Sequence, residues 1–421
     1  MRIDAHVHTM PPLSATELDE FCRQEPYWGL LLAPPDGARS IQGWATAERM
    51  LEDMDAAGID RVVLQGEYRR THDACVARNQ RVLELTRRWP GRLIAFAMVQ
   101  PTAGQAALDE LKRCLDAGMR GAGELNPYGQ GHTIDHPDFL RLVEACIEHD
   151  VPLTMHVSEE IGRYYLGKSA TPLRHYYWLA CRYPELKLIL AHWGGGLFFY
   201  ELMPKVRQEL RHVWYDTAAS PLLYPTSSIF GMALRCVDPR KILFGSDYPL
   251  LIYPSRQTEP DFRPFLKQVG EVELSPEVRQ DIMAENAARL LGLETELRIV
   301  RRRCGPATSA DDVCPSQSTT SADNSPPPCN DRGRPRTSAE TPEGATRGIE
   351  EHPVAPIGGF MAVTMVAEHW PQTRPVFEKY KIPWKDSPVP FWEPIIQAAA
   401  AQGHGPADQR RLLDELNQAT G

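Results

Sequence analysis

Histidine and aspartate residues suited to metal binding recur at similar places in several short apolar runs of the sequence. They are His6 and His8, two residues apart in one run, and His156, His192 and Asp247, at the ends of three others. Side chains two residues apart on a β-strand point to the same face, so the imidazoles of the first run are expected to lie together. Imidazole and carboxylate ligands suit Zn²⁺ or a similar first-row ion and leave a position for water. The sequence therefore predicts a divalent-metal site.

The apolar runs themselves predict the strands of a parallel barrel. Eight runs rich in β-branched residues cover residues 2–8, 61–66, 93–99, 119–125, 151–157, 186–193, 212–217 and 241–247. Stretches of helical periodicity separate them, for example residues 47–57, which end at Gly58, and residues 106–117, which end at Gly118. An open doubly wound sheet would show a Gly-rich phosphate loop after its first strand, and the sequence has none there. We therefore predict an α/β fold, a (β/α)₈ TIM barrel over residues 1–300, whose strand ends meet at one mouth.

Six short motifs follow one another through the predicted barrel. They are DAHVH (4–8), GELNPYGQG (123–131), TMHVSE (154–159), LAHWGGG (190–196), FGSDYPL (244–250) and ENAARLLGL (285–293). In this order they resemble the amidohydrolase superfamily, and more narrowly its branch of aminocarboxymuconate-semialdehyde decarboxylase-like enzymes and related hydrolases. By that resemblance the metal, most often zinc, is bound by His6, His8, His156 and Asp247. His192 is then the nearby catalytic histidine or, in two-metal relatives, a further ligand.

The same residues would provide the groups that hydrolysis needs. A metal of this kind lowers the pKa of bound water towards neutrality. Asp247 is then placed to take the proton of that water and to pass it to a leaving group, and His192 to polarise a substrate carbonyl. Glu124 lies at the end of the fourth predicted strand and is open to three interpretations. It could be a structural carboxylate, a bridge between two metals, or a group that orients a metal-bound histidine. Whether one or two ions bind is therefore left open.

The segment after the fifth predicted strand, residues 158–178, lies on the side of the barrel where the site is expected. The side chains expected to bind a substrate carboxylate are Arg163, Lys168, Arg174 and His175. Those expected to wall an aromatic or planar group are Tyr164, Tyr165 and Trp178. A solvated loop followed by an amphipathic helix explains each of these residues equally well.

Three further predictions concern residues around the mouth of the barrel. Trp193 and Tyr248 adjoin predicted site residues and are expected to wall the pocket. Residues 11–44, which include Trp28, are expected to form a lid over it. Asp216, after the seventh predicted strand, is interpreted equally well as a site residue and as a structural hydrogen-bonding group.

Composition and charge narrow the class of protein. The 421 residues carry 46 Lys and Arg against 55 Asp and Glu, a net charge of −9, which argues against binding nucleic acid through bulk charge. No apolar run reaches the roughly 18 residues of a membrane helix, and the first residues do not read as a secretory signal. The nine cysteines form no C-x-x-C pair and are expected as reduced thiols. We expect a cytoplasmic homo-oligomer that binds a small-molecule substrate, with no nucleic-acid or membrane partner.

The composition changes sharply after the predicted barrel. Residues 301–356 are rich in Ser, Thr, Pro and Gly and have almost no large apolar side chains, so a disordered linker is predicted. Residues 357–421 show helical spacing with breaks at Pro371 and Pro383, which predicts a small all-α domain.

This predicted C-terminal domain also carries a resemblance. Its motifs VAEHWPQTRPVFEKYKI and LLDELN resemble a small helical domain of unknown function found with iron–sulfur repair and hybrid-cluster proteins. Many such domains carry cysteines after the KI step, but the segment WKDSPVPFWE has none. We therefore expect it to bind a protein partner or to dimerise rather than to perform redox chemistry.

Three functions are compatible with these residues. The first is a metal-dependent hydrolase that uses activated water on a C–N or C–O bond of a small, carboxylated substrate. The second is a metal-dependent nonoxidative decarboxylase, a lyase, on the same barrel. The third, from another class, is a non-catalytic binding or scaffold protein, although decay of catalysis would be expected to remove part of the ligand set.

Overall fold

The structure of the protein, a computed structural model, describes residues 1–35, 38–162, 164–293, 356–384 and 393–420. Arg163 and residues 301–355 of the predicted linker lie outside these ranges. Within them eight strands alternate with helices: β1 (Ile3–Val7), β2 (Arg61–Leu64), β3 (Leu93–Ala95), β4 (Ala122–Leu125), β5 (Leu153–Met155), β6 (Leu188–Leu190), β7 (Val213–Asp216) and β8 (Ile242–Leu243). The strands pair in parallel, in the orders β1-β2-β3 and β4-β5-β6-β7-β8.

Short backbone connections close these two sheets into one barrel. A parallel bridge joins Ala97, just after β3, to Ala122 at the start of β4. A second bridge joins Val7 of β1 to Tyr248 after β8, and the N–H of His8 donates to the carbonyl of Tyr248 at 2.7 Å. The predicted (β/α)₈ barrel is therefore confirmed. Its strands are shorter than the predicted runs, because the apolar residues continue into the buried turns that follow each strand.

The helices of the barrel region lie between and after these strands. They are α1 (Ala15–Gln24), α2 (Pro26–Leu32), α3 (Ala47–Ala57), α4 (His72–Arg88), α5 (Gln105–Asp116), α6 (Pro127–Gln130), α7 (Pro137–Glu148), α8 (Leu173–Arg182), α9 (Pro204–Glu209), α10 (Ser220–Leu223), α11 (Thr226–Cys236), α12 (Arg263–Gly270), α13 (Pro276–Gln280) and α14 (Asn286–Leu290), with 3₁₀ segments at Pro101–Ala103, His192–Leu202 and Pro239–Lys241 and a π-helical turn at Asp281–Glu285. The ends of α3 match its prediction, because the Thr46 hydroxyl accepts from the N–H of Arg49 and Gly58 ends the helix with a φ of 66°.

The core of the barrel consists of the strands and the inward faces of the helices. Strands β5 and β6 are buried along their whole length, as expected for parallel strands covered on both faces. The amphipathic helix α3 buries Met50 and Met54 completely against this core. No helix within the described ranges is long and apolar enough to cross a membrane.

The last four helices of the described chain belong to the region predicted as a small all-α domain. They are α15 (Val363–His369), α16 (Arg374–Lys379), α17 (Ile395–Ala401) and α18 (Pro406–Thr420). We refer to residues 356–384 and 393–420 as the C-terminal module. Its own apolar core contains Val363, Phe377 and Leu416. The C-terminal module and the barrel form one compact unit, since α17 packs against α2 and α6.

Candidate metal centre

Six side chains of the predicted site converge at the carboxyl ends of the barrel strands. His6 lies on β1 and Glu124 on β4, and the other four follow the ends of β1, β5, β6 and β8: His8, His156, His192 and Asp247. All of them are buried except His8 and His156, which are half-buried. The alternation of side chains along a strand explains the first pair, since His6 and His8 flank one residue and face the same side.

The atoms around His6 and His8 have the spacing of ligands that share one ion. The Nε2 atoms of the two histidines are 3.2 Å apart. Glu124 Oε2 lies 3.4 Å from His6 Nε2 and 3.8 Å from His8 Nε2, and Asp247 Oδ1 lies 3.8 Å and 3.3 Å from the same two atoms. Two ligands about 2.1 Å from one ion are separated by roughly 3.0–3.5 Å. Two imidazoles and two carboxylates thus fit a divalent cation.

A second group of ligand atoms adjoins the first through Glu124. Its other oxygen, Oε1, lies 2.9 Å from His156 Nδ1 and 3.3 Å from His192 Nε2, and these two nitrogens are 3.1 Å apart. Each of the two triads His6–His8–Glu124 and Glu124–His156–His192 has its ligand atoms within 4.8 Å of one another. Glu124 therefore lies at the centre of the cluster, with one oxygen towards each pair of histidines.

Buried acceptors behind the histidines fix which ring nitrogen faces the cluster. Asp216 Oδ2 lies 2.8 Å from His6 Nδ1, and the carbonyl of Ala218 lies 3.0 Å from His192 Nδ1. Asp216 Oδ1 accepts from the N–H groups of His192 and Ala218, at 3.0 Å each. A carboxylate or carbonyl behind a histidine holds its tautomer and ring orientation. Asp216 thus orients two members of the cluster.

Asp4 is a buried member of the site that sequence reasoning passed over. Its Oδ1 accepts from the N–H groups of His6 and Ser246, at 3.1 Å and 3.0 Å, and so ties β1 to the segment that carries Asp247. The signal was present in the motif DAHVH, where an aspartate lies two residues before His6 on the same face of the strand. Burial raises the pKa of Asp4 to about 7, against hydrogen bonds from Ser246 and His6 that lower it.

Positive φ values occur at three backbone positions that carry or precede residues of the cluster. His192 and Asp247 adopt positive φ values of 58° and 67°, which are rare for residues other than glycine and cluster at functional sites. Gly123 precedes Glu124 with a φ of 115°, and a Cβ there would lie 2.3 Å from the carbonyl oxygen of Thr154. Only glycine fits this position, so the approach of β4 to β5 depends on it.

The histidines of the cluster hold its two carboxylates in the charged form. Burial alone would raise the pKa of Glu124, but the imidazoles of His6 and His156 outweigh it and hold the pKa well below its ordinary value. Burial would also raise the pKa of Asp247, yet a hydrogen bond from His8 and the charge of His6 lower it. Both carboxylates are therefore ionised at neutral pH. Buried anions facing imidazole nitrogens are the donor set expected for Zn²⁺ or a similar ion.

A cavity of about 310 Å³ opens directly above the cluster. Its floor includes His8, Glu124, His156, His192 and Asp247. Its walls are mostly apolar and include Met10, Trp28, Leu31, Ile41, Tyr68, Tyr165, Leu166, Leu222, Leu223 and Leu250. None of the described residues that line the cavity is a lysine or an arginine. Charge is therefore confined to the floor.

Among the described side chains predicted to bind a substrate carboxylate, Lys168, Arg174 and His175 do not line the cavity. Lys168 is fully buried, with its Nζ 3.1 Å from Glu159 Oε1. His175 lies on α8, and Arg163 is outside the described residues. The same loop instead brings Tyr165, Leu166 and Gly167 to the cavity wall.

The two aromatic residues predicted beside the site also point elsewhere. Trp193 is buried in the core, and its Nε1 donates to Ser220 Oγ at 2.8 Å. The hydroxyl of Tyr248 donates to Asp53 Oδ2 at 2.7 Å, and its ring stacks on Phe262. Trp28, from the predicted lid, does line the cavity, together with Tyr68, which no sequence motif had marked.

Comparisons with known proteins agree with this geometry. The family model described as amidohydrolase matches residues 3–293. The 4-sulfomuconolactone hydrolase of Rhizobium radiobacter is 24% identical over 309 residues, which are 69% of this chain and 89% of that protein. The 2-amino-3-carboxymuconate-6-semialdehyde decarboxylase of Dictyostelium discoideum is 21% identical over 253 residues, 51% of this chain and 66% of that protein.

A solved structure shares the fold. The 5-carboxyvanillate decarboxylase of Novosphingobium aromaticivorans, in complex with manganese and 4-hydroxy-3-methoxy-5-nitrobenzoic acid, superposes with a TM-score of 0.54 at 16% identity. The match covers 70% of this chain and 96% of that one. At this identity the likeness concerns the barrel alone.

Proposed function

The chain belongs to the amidohydrolase family, and on that premise we propose that it is a metal-dependent hydrolase that adds water across a C–O or C–N bond of a small substrate. One observation carries the proposal: an ionised carboxylate, Asp247, faces the His6–His8 pair on the floor of a cavity whose described lining has no lysine or arginine. Hydrolysis needs a proton acceptor beside activated water, and this floor provides one. As an enzyme of this family, the protein is not the non-catalytic scaffold considered as a third alternative.

The residues that would hold the metal are those whose atoms have ligand spacing. They are His6, His8, Glu124 and Asp247 for one ion, with His156 and His192 beside Glu124 for a second. A divalent ion bound there supplies Lewis acidity and brings the pKa of water towards neutrality. Zinc suits the histidine-rich donor set, and the decarboxylase structure described above holds manganese, so both ions belong in the test.

Asp247 would act as the proton carrier. Its Oδ1 lies 3.3 Å from His8 Nε2 on the cavity floor, where a carboxylate can accept the proton of the attacking water. The same oxygen atoms can then deliver that proton to the leaving oxygen or nitrogen, which completes the addition of water. The left-handed backbone at Asp247 fixes the direction of the side chain, so it needs little reorganisation during the reaction.

His192 would stabilise the developing negative charge on the substrate. Its Nδ1 faces the carbonyl of Ala218, and its Nε2 faces the cluster on the cavity floor. Its Nδ1–H donates to the Ala218 carbonyl, so Nε2 can donate to a substrate carbonyl oxygen only in the protonated imidazolium. Burial would lower the pKa of His192, but the Glu124 carboxylate raises it to about 9, which favours that form with one ion bound at the His6–His8 side. With two ions bound, the same nitrogen would be a ligand, so the metal count decides between the two roles.

The apolar walls suggest what the substrate looks like. A cavity of about 310 Å³ is at the small end of ligand sites, so a small molecule is expected. Trp28, Tyr68 and Tyr165 can pack against an apolar or planar body, while the reacting bond lies on the polar floor. The carboxylate expected from the sequence has no lysine or arginine partner among the described lining residues, so a substrate anion would have to be held by the metal itself.

Decarboxylation on the same barrel is the second candidate. It is supported by the decarboxylase of Dictyostelium discoideum among the relatives, and by a floor where a bound cation could hold the departing carboxylate. The two reactions differ in their products. Hydrolysis consumes water and creates an acid, whereas decarboxylation releases CO₂ and places a solvent proton on carbon.

The test is a turnover assay on purified protein of known metal content, with a panel of lactones, amides and aromatic carboxylates. In ¹⁸O-labelled water, a hydrolase incorporates the label into the product acid and releases no CO₂. CO₂ release with deuterium incorporated from heavy water would replace the proposal with the decarboxylase. Absence of bound metal, with no uptake of zinc or manganese, would overturn both.

The proposal also retains two expectations from the sequence, a cytoplasmic location and a homo-oligomer. The cysteines of the described chain are free thiols, as expected in a reducing compartment. Sedimentation of the purified protein measures the oligomeric state, and a monomer at assay concentration would remove that expectation.

A further inference from the structure

The outer wall of the cavity is made by chain segments that lie outside the barrel strands. Trp28 and Leu31 come from α2, and Tyr165, Leu166 and Gly167 come from the loop that follows β5, of which residues 158–162 and 164–171 are described. We call these two stretches the wall segments. A loop of this kind usually opens more easily than the scaffold that carries it, unless other contacts hold it.

Helix α17 of the C-terminal module packs on both wall segments. Ile396, Ala400 and Ala401 form an apolar cluster with Tyr27 and Leu30 of α2. Leu166, which lines the cavity, packs against the same cluster, as do Tyr68 and Tyr128. The C-terminal module therefore contacts the back of the wall whose front faces the cavity.

Hydrogen bonds add directional contacts between the C-terminal module and the barrel loops. Gln397 Nε2 donates to the carbonyl of Lys168 at 2.8 Å, and both residues are fully buried. Lys168 follows Gly167 of the cavity lining directly, so this bond fixes the backbone at the end of the wall. Arg70 Nη1 donates to the carbonyl of Ala401 at 2.7 Å.

A further contact lies just before the first residue of α17. The Tyr128 hydroxyl donates to the carboxyl of Glu393, a buried residue just before α17. Tyr128 belongs to α6, which follows the strand that carries Glu124. The C-terminal module thus contacts α2, α6 and the loop after β5.

We infer that the C-terminal module is a positioning element of the substrate pocket, which holds the two wall segments over the metal centre and so sets the size of substrate that fits. Gln397 is its central residue, because it bonds the backbone of the wall itself. The module's own core, which includes Val363, Phe377 and Leu416, keeps α17 rigid enough to serve as the support. The inference deepens the proposed function, on which its kinetic part rests.

The test uses the full chain with Gln397→Ala, which removes the hydrogen bond to Lys168, and with Ile396→Ala, which weakens the apolar contact with α2 and Leu166. Gln402→Ala is the matched control, since Gln402 is exposed at the end of the same helix. The direct readout is hydrogen–deuterium exchange of peptides covering residues 158–171, which requires no substrate. Loss of a buried hydrogen bond should raise their exchange rate roughly tenfold in Gln397→Ala and leave the peptides of β1 and β5 unchanged.

The kinetic readout separates this inference from the proposed function. With a turned-over substrate, Gln397→Ala should raise KM roughly tenfold, lower kcat by less than that, and narrow the preference for small over bulky substrates, with unchanged metal content. Unchanged exchange of residues 158–171 in both Gln397→Ala and Ile396→Ala would overturn the inference even if the enzyme is active. Increased exchange in a protein that turns over none of the panel would support the inference and reject the proposed function.

Discussion

The floor and the outer wall of the cavity are built in opposite ways. The floor takes its side chains from the ends of β1, β4, β5, β6 and β8, each at the point where a strand meets the barrel mouth. The wall takes its side chains from α2, from loops and, behind them, from a helix more than 200 residues away in sequence. The barrel thus localises the chemistry, while added segments shape the space above it.

Buried carboxyl groups show the same contrast in charge. Glu124 on the floor is buried among histidines, which outweigh the effect of burial and hold its pKa well below the ordinary value. Glu393 behind the wall is equally buried, but burial dominates and raises its pKa to about 7, with only the Tyr128 hydroxyl lowering it. The first environment stabilises the charged carboxylate, which can bind a cation, and the second shifts the equilibrium towards the neutral carboxyl group.

Removal of the metal should have the largest effect and should be confined to the floor. Chelation, or His6→Ala, is expected to abolish measurable turnover, because the Lewis acid and the activated water are lost together. Metal analysis of His6→Ala should show less than one ion per chain, and saturating metal should stabilise the wild type by about 3 kcal/mol at a hundredfold excess over Kd. His149→Ala, on an exposed position, is the control. If metal removal changed the hydrogen exchange of residues 158–171 as much as that of β1, floor and wall would not be separate units.

Asp247→Asn should have the second-largest effect, a decrease in kcat of about 10³-fold. The amide keeps the size of the side chain but cannot accept the proton of water, and general acid–base groups contribute about 10²–10⁴-fold. Asp116→Asn, an exposed aspartate paired with Lys112, provides the isosteric control. Metal content is measured on the same sample. If the variant loses activity but keeps its metal, the lost group is the proton carrier. Retained turnover in metal-loaded Asp247→Asn would remove Asp247 from the catalytic role.

The floor could be predicted from the sequence because it obeys local rules. Alternation along a strand placed His6 and His8 together, and the ends of parallel strands gathered His156, His192 and Asp247 at one mouth. Apolar periodicity predicted all eight strands. The predicted runs are longer than the strands, as at β3, where residues 93–99 were predicted and Leu93–Ala95 is observed. Buried turns after a strand are as apolar as the strand, so composition alone does not mark its end.

The wall could be predicted only in part: Trp28 and Tyr165 line the cavity as expected, but the rest of the wall depends on contacts between distant segments. Lys168 looked like a partner for a substrate anion, but its ammonium group lies against Glu159 inside the loop. Trp193 and Tyr248 adjoin site residues in sequence, yet the left-handed turns at His192 and Asp247 send the neighbouring side chains into the core. Gln397 carried no signal at all, because its function follows only from the docking of α17.

Asp216→Asn tests the support beneath the floor and should have an intermediate effect. Asp216 orients His6 through its ring nitrogen and His192 through its backbone N–H, so its loss should weaken metal affinity and turnover about 10–100-fold. The expected result is a higher metal Kd with partial rescue of kcat at high metal concentration. Asp116→Asn again serves as control, and an unchanged metal Kd would show that the aspartate has only a packing role.

Glu393→Gln should have the smallest effect, one on stability and its pH dependence. Burial raises the pKa of Glu393 to about 7 in the folded chain, above its ordinary value near 4.5. The protonated group therefore favours the folded state below about pH 4.5, and this contribution is lost as pH rises towards and through 7, by about 3 kcal/mol at most. Glutamine stays neutral, so the unfolding free energy of the variant relative to wild type should rise between pH 5 and 8. The exposed Glu368→Gln in the same module should show no such trend. A parallel pH dependence in wild type and Glu393→Gln would mean that this carboxyl is already ionised in the fold, and that the region behind the wall tolerates charge as the floor does.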